Sequence, residues 1–165
     1  MITFTEYSNK YQHFVYQGLL DIHRIEKDGL TDLKISDDFD FQIEQWLNTI
    51  SQQPSSLIII AIQNNLPVGF IMGMVEPQIN KFSQYNLHGL IQALFVSEQN
   101  RKQSVGHKLV LEMLSSFNEH SIPYCDLSYH PQNTIAEKFW VKQGFIPAQI
   151  ISRKFLRADL SEEIK

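Results

Sequence analysis

Apolar side chains at Ile2 and Phe4 alternate with Thr3 and Thr5, which predicts a short half-buried strand over Ile2 to Glu6. The period then lengthens. Tyr11, Phe14, Val15, Leu19 and Ile22 recur at helical spacing, and Phe39, Ile43, Trp46, Leu47 and Ile50 repeat it after an acidic start at Asp37 and Asp38. Two helices are expected, joined by a polar loop around Lys27 to Asp38.

Leu57 to Gln63 is rich in isoleucine and Val68 to Glu76 is apolar again, with Asn64-Asn65-Leu66-Pro67 supplying the turn of an antiparallel hairpin. Leu90 to Val96 has Gln92 as its only polar residue and is expected to be a central strand buried on both faces. Val105, Leu109, Val110, Met113, Leu114 and Phe117 form a helical stripe. In Tyr124 to Tyr129, Cys125, Leu127 and Tyr129 alternate with Asp126 and Ser128, which predicts another strand. A last helix carries Ile135, Ala136, Phe139 and Trp140 and stops at Gly144. Phe145 to Ile151 and Ser152 to Leu156 read as a final pair of strands. The order β, α, α, β, β, β, α, β, α, β, β describes an α/β protein, a mixed sheet with helices on its faces, and one domain spanning residues 1–165.

Composition narrows the function classes. A chain of 165 residues with 43% hydrophobic and 19% charged side chains can fill one core and does not have the composition of a disordered chain. Lys plus Arg is 14 against 18 Asp plus Glu, a net charge of −4 that argues against nucleic acid as a partner. The single cysteine, Cys125, cannot close an internal disulfide, and no Cys or His spacing matches a metal site. No basic, apolar leader begins the chain, and the longest apolar run, Leu57 to Ile62, is far too short for a membrane span. A cytoplasmic protein is expected.

The chemistry concentrates where the Leu90–Val96 strand runs through Ser97 to Ser104 into the next helix. Such a junction aims free backbone N–H groups at whatever sits above the helix start. Acids normally occupy that position, yet Arg101, Lys102, His107 and Lys108 surround it with no acid between them. A bound anion, phosphate above all, would account for the charge; a solvated basic loop would account for it equally. Gly106 would admit a ligand close to the backbone, and the spacing is that of neither a nucleotide P-loop nor a dinucleotide fingerprint.

The element order and two local signatures resemble the GCN5-related N-acetyltransferase (GNAT) superfamily. Its acyl-CoA motif, Arg/Gln-x-x-Gly-x-Gly/Ala, corresponds to Arg101-Lys102-Gln103-Ser104-Val105-Gly106. Its second signature corresponds to Asn133, Ala136, Phe139-Trp140 and Gly144-Phe145, and Pro67-Val68-Gly69-Phe70-Ile71 is similar to the family's hairpin. The resemblance implies a mostly antiparallel sheet and acetyl-CoA as cofactor. It implies that Phe95 and Val96 pair with the pantetheine arm and that N–H groups of Gln103, Ser104, Val105, Gly106 and His107 hold the pyrophosphate. Arg101, Lys102, Asn133 and Trp140 complete the implied cofactor set, with Asn133 a helix cap as well. Two positions depart from the pattern. Ser104 replaces a glycine, which is tolerable if its φ is negative. Trp140 stands where many members carry the Tyr that protonates the departing thiolate, and an indole N–H does not donate a proton at neutral pH.

Acyl transfer to an amine needs a neutral amine, a polarised carbonyl and a proton for the leaving sulfur. Glu76 is the first candidate base, with His88 and Asp126 as alternatives; Tyr129 is the first candidate acid, ahead of Tyr124. Cys125 and His130 fall on opposite faces and do not form a nucleophile pair. Glu26, Asp28, Asp32, Asp37, Asp38 and Asp40 could draw in a cationic acceptor, or could simply solvate a loop and start a helix. The acceptor implied is a primary amine of a small molecule or peptide, attacking the thioester directly. The alternative is a noncatalytic acyl-CoA-binding module, for which Trp140 speaks. Many members pair through late strands, so a homodimer is compatible with the resemblance.

Overall fold

The computed structural model describes residues 1–27, 36–154 and 156, with the side chains of 25–27 outside that description. Asp28, Asp32 and the side chain of Glu26 therefore lie outside the described residues, as do Phe155 and Arg157 at the end of the expected last strand.

The elements are β1 (Ile2–Glu6), α1 (Gln12–Lys27), α2 (Phe39–Ile50), β2 (Ser56–Gln63), β3 (Leu66–Pro77), β4 (Leu87–Val96), α3 (Val105–Glu119), β5 (Cys125–Leu127) and α4 (Thr134–Lys142). Short 3-10 turns precede α1 and follow β4. The five strands form one sheet in the order β1-β2-β3-β4-β5, antiparallel except for the parallel β4–β5 pair.

Asn64 and Asn65 take φ of 52° and 63°, the two left-handed residues that a two-residue hairpin loop demands, and asparagine tolerates that region. Pro67 lacks an N–H and sits at a register shift beside Ala61 and Ile62, so no ladder bond is lost to it.

Two cores lie on opposite faces of the sheet. Phe70, Met72, Ile58 and Ile60 pack with Val15, Leu19, Ile43 and Leu47 of α1 and α2. Ile59, Ile71 and Ile91 pack with Leu109, Met113 and Phe117 of α3 and Trp140 of α4. Gly18 lets α1 lie directly on the sheet: a Cβ there would stand 2.5 Å from the Phe70 ring and 2.8 Å from that of Phe95. Gly18→Ala is expected to lower stability by about 1–3 kcal/mol, because overpacking outweighs the ~1 kcal/mol gained in helix propensity. Urea unfolding checks the sign.

The structure corrects three expectations. The strand expected over Tyr124 to Tyr129 shrinks to Cys125–Leu127, because β4 offers it only Gly89, Leu90 and Ile91 as partners. Beyond that point β4 is half-buried rather than buried on both faces. The final strand pair is absent among the described residues. Gly144, at φ 91°, ends α4 in a left-handed turn in which Phe145 N–H bonds Trp140 O and Gly144 N–H bonds Val141 O. The Phe145 ring then packs on Trp140 at 5.3 Å, while Ile146, Ile150 and Ile151 stay exposed and Pro147 has no N–H for a ladder. An apolar run becomes a strand only against a partner edge.

Candidate active site

The opening between β4 and β5 follows from one irregularity. Gly89 donates its N–H to Tyr124 O, on the β5 side, whereas Ser97, also odd-numbered, donates to Val68 O on the β3 side. Within a regular strand, residues of one parity face one neighbour. The register shift between Met72 and Gly73 inserts Gln92 as an extra residue and reverses the parity. Leu94 and Val96 thus direct their backbone groups away from β3, along the stretch where β5 has already ended. One side of this lip is the open edge of Gln92–Val96; on the other lie Ser128 and Tyr129, just past β5.

Of the expected pair on this edge, only Val96 faces the opening. Phe95 belongs to the β3 pairing opposite Phe70, its carbonyl lies 2.8 Å from where a Gly69 Cβ would be, and its ring stacks on Phe70 beneath α1. Leu94 takes its place. The parity change at Gln92 leaves no mark in the hydrophobic pattern, which is why Leu94 escaped the sequence.

At the end of β4 the chain turns into α3 through Arg101 to Ser104. Lys102 and Ser104 both adopt left-handed backbone, at φ 61° and 62°, so the condition under which a serine replaces the glycine without strain, a negative φ, is not met. Each left-handed non-glycine residue costs roughly 1 kcal/mol. What the turn gains is a run of N–H groups: from Lys102 to His107, none finds an acceptor among the described residues. Alternating backbone of this kind forms an anion-binding concavity, here continued by the helix start. The Ser104 side chain makes no capping bond, and the first turn of α3 carries no acid. Arg101 folds back so that Nε donates to Val96 O at 3.0 Å, joining the turn to the β4 edge. Val105 is buried beneath this turn, so only its N–H faces outward. A Cβ at Gly106 would sit 3.4 Å from Phe139 and 3.6 Å from Val96, so this glycine sets the approach of α3 to α4.

Asn133 caps α4, its Oδ1 accepting from Ala136 N–H at 3.0 Å, while Nδ2 has no partner among the described residues. Trp140 is 8% exposed and packs edge-on against Phe139 and Phe145. It is a core side chain that presents almost no surface to a ligand. His107, on the first turn of α3, bonds Gln143 at the end of α4.

Glu76 lies opposite His88, four residues from Gln92 and so about 13 Å along the strand. It shares a sheet face with Met72 and Met74, the face that carries α1 and α2. His88 is 8% exposed, stacks on Tyr124 and holds Nε2 at 4.0 Å from Asp126. The Tyr124 hydroxyl is bonded by the Gln78 amide, and Tyr85 packs edge-on against its ring. The three candidate bases, Glu76, His88 and Asp126, thus gather in one group, whereas Tyr129 packs toward the α3 core on the other face.

Burial pushes the Cys125 thiol up to about 12, with the neighbouring Asp126 charge acting in the same direction. Such a thiol is not a nucleophile at neutral pH. A groove between β1–β2 and α3 is lined by Glu6, Glu112 and Glu119 and would repel phosphate.

The family described as the acetyltransferase (GNAT) family matches residues 19–145. No curated protein sequence matches the chain significantly. Among solved structures, a GCN5-related N-acetyltransferase from Ralstonia eutropha JMP134 superposes with a TM-score of 0.76 at 15% identity, covering 94% of this chain and 99% of that one. A protein from Clostridium acetobutylicum described as a predicted acetyltransferase, solved with acetyl-CoA, gives 0.76 at 13% identity, with 94% and 97% covered. The aminoglycoside acetyltransferase AAC(6')-Iy, bound to a bisubstrate analogue of CoA, gives 0.72 at 14% identity, with 96% and 99% covered. At these identities the likeness is one of fold. Among the described residues no helix is long and apolar enough to cross a membrane.

Proposed function

The chain belongs to the acetyltransferase (GNAT) family, and we propose that it transfers an acetyl group from acetyl-CoA to a primary amine of a small molecule or peptide. The observation that carries this reading is the run of six N–H groups from Lys102 to His107 without a partner among the described residues, flanked in sequence by Arg101 and Lys108, at the end of an open strand edge. It fits a ligand with a pyrophosphate at one end and an amide-bearing arm at the other, which is the chemistry of an acyl-CoA. The aminoglycoside acetyltransferase structures among the neighbours favour a small-molecule acceptor.

When bound, acetyl-CoA supplies an acetyl group activated as a thioester. The N–H groups of Gln103 to His107 hold its phosphates, with the Arg101 and Lys102 charges beside them. The Leu94 and Val96 backbone holds the arm as an added strand, and Nδ2 of Asn133 meets it from α4. An N–H on the same edge polarises the acyl carbonyl. The amine loses its proton toward Glu76 and His88, about 13 Å along the strand from Gln92, or toward Asp126, opposite Leu90 and about 7 Å along it, so the transfer runs through water. Tyr129, beyond β5 on the opposite face, supplies a proton at its hydroxyl to the departing sulfur. Acid and base on opposite faces let the acceptor enter from one side while the thiol leaves on the other.

Tyr129→Phe is expected to lower turnover about 10-fold or more with acetyl-CoA affinity unchanged; unchanged turnover would remove Tyr129 from this role. For the function itself, acetyl-CoA at about 100 times its dissociation constant adds about 2.7 kcal/mol of stability, a rise on the order of 5 to 10 °C in unfolding temperature. Release of free CoA when an amine is added separates an enzyme from a binding module. Thiol reagents can monitor that release because Cys125 stays protonated. Absence of a thermal shift at millimolar acetyl-CoA would withdraw the reading.

A further inference from the structure

Gln92 is the only polar residue between Leu90 and Val96, and the register shift between Met72 and Gly73 leaves it without a partner on β3. Its side chain lies on the α1–α2 face of the sheet, where Nε2 donates to the Met74 thioether at 3.0 Å. A thioether accepts and cannot donate, which fixes the nitrogen on that side and the oxygen on the other. That oxygen, Oε1, is buried and has no hydrogen-bond partner among the described residues. His88 Nδ1 is a second such atom, four residues back on the same face, in a residue that is 8% exposed. The third, Ser56 Oγ, is two strands away on β2. An orphaned buried acceptor costs stability, and a leucine or methionine would fill the same space beside Met74 without that cost.

Gln92 is also where the open edge of β4 begins, since Leu94 and Val96 direct their backbone groups away from β3. On its face α1 covers Phe70 and Phe95, whereas Met74 and Glu76 are only half-buried. Oε1 therefore stands at the mouth of the opening, on the side from which the acceptor enters. Resting on the acetyl-transfer reading, we propose that Gln92 is a specificity-determining residue whose Oε1 accepts one N–H of a primary amine as that amine attacks. A primary amine has two. The hydrogen held by Gln92 is the one that the amide product keeps. The other passes to water as the C–N bond forms, while the C–S bond breaks and the sulfur takes its proton from Tyr129. A secondary amine or an alcohol carries a single hydrogen on the attacking atom, and that hydrogen must leave. Gln92 would hold it on an amide oxygen, which is no base at neutral pH, so such acceptors bind without reacting.

The test pairs butylamine, benzylamine and phenethylamine with their N-methyl counterparts and reads the release of CoA from acetyl-CoA. The wild-type chain is expected to favour the primary member of a pair by about 100-fold or more in kcat/KM. Gln92→Met and Gln92→Leu keep nearly the same volume and remove the oxygen. Each is expected to lower kcat/KM for the primary amine about 10-fold or more and to bring the ratio within a pair below about 10. Without ligand, both variants are expected to unfold at the wild-type temperature or a few degrees above it, and to keep the shift that acetyl-CoA gives. A ratio unchanged in the variants would assign the selection to size alone and overturns the proposal. A fall of several degrees in unfolding temperature in both variants overturns it as well, because Gln92 would then hold the fold rather than the acceptor. So does a wild-type chain that uses N-methyl amines equally well, or that shows the acetyl-CoA shift and releases no CoA with any of the primary amines. Absence of that shift in the wild type defeats the acetyl-CoA reading instead, and this proposal with it.

Discussion

Ser104→Asp is expected to weaken acetyl-CoA binding on the order of 100-fold while leaving the unfolding temperature unchanged or slightly raised. The two effects have opposite signs because they share one cause. Ser104 precedes α3 in left-handed backbone, makes no capping bond, and lies within a run of N–H groups that no acceptor among the described residues satisfies. Aspartate tolerates that backbone better than most side chains and complements the helix dipole by about 0.3–1 kcal/mol. The same carboxylate stands where the phosphates would sit. At about 5 Å and an effective dielectric near 20, two like charges repel by about 3 kcal/mol, which is the 100-fold. Ser104→Gly is the companion variant: it relieves roughly 1 kcal/mol of backbone strain and should keep the affinity. A thermal shift series with acetyl-CoA reads both quantities together. Undiminished binding by the aspartate variant would move the phosphates away from α3, and a large loss of stability would mean that the turn, rather than its charge, had been disrupted.

The sequence displayed the basic helix start because the anomaly is local: cations where a helix dipole calls for acids. Periodicity likewise revealed α1 to α4, β1 and the β2–β3 hairpin, since each buries one stripe or face against a single core. What it could not reveal depends on partners. Gln92 looks like any polar residue in a strand, and only the register against β3 makes it the point where the outward-facing residues change from odd to even. That change exchanges Phe95 for Leu94 at the opening. The apolar residues from Phe145 to Leu156 have strand composition but meet no sheet edge among the described residues. The His107–Gln143 bond joins the start of one helix to the end of another, and neither residue type announces it. The gathering of Glu76, His88 and Asp126 also needed the register, which sets β3, β4 and β5 side by side.

Trp140→Ala is expected to destabilise the chain by about 3–5 kcal/mol, a fall on the order of 10 to 15 °C in unfolding temperature. Its indole is the largest side chain in the α3–α4 core, held edge-on between Phe139 and Phe145, and the left-handed turn at Gly144 exists to bring Phe145 back onto it. Removing it leaves a cavity and frees Phe145, loosening α4 just where Phe139 meets Gly106. The more discriminating variants keep the core filled. Trp140→Phe and Trp140→Tyr should each cost about 1–3 kcal/mol and leave turnover at the wild-type level once stability is restored by lower temperature. If position 140 supplied the proton to the leaving thiolate, the tyrosine variant would exceed wild type and the phenylalanine variant would not. With 8% of its surface exposed, the residue at 140 is placed to hold α4 rather than to donate a proton. Equal turnover in the two variants leaves that proton to Tyr129 on the lip beyond β5, and a gain confined to Trp140→Tyr would return it to α4.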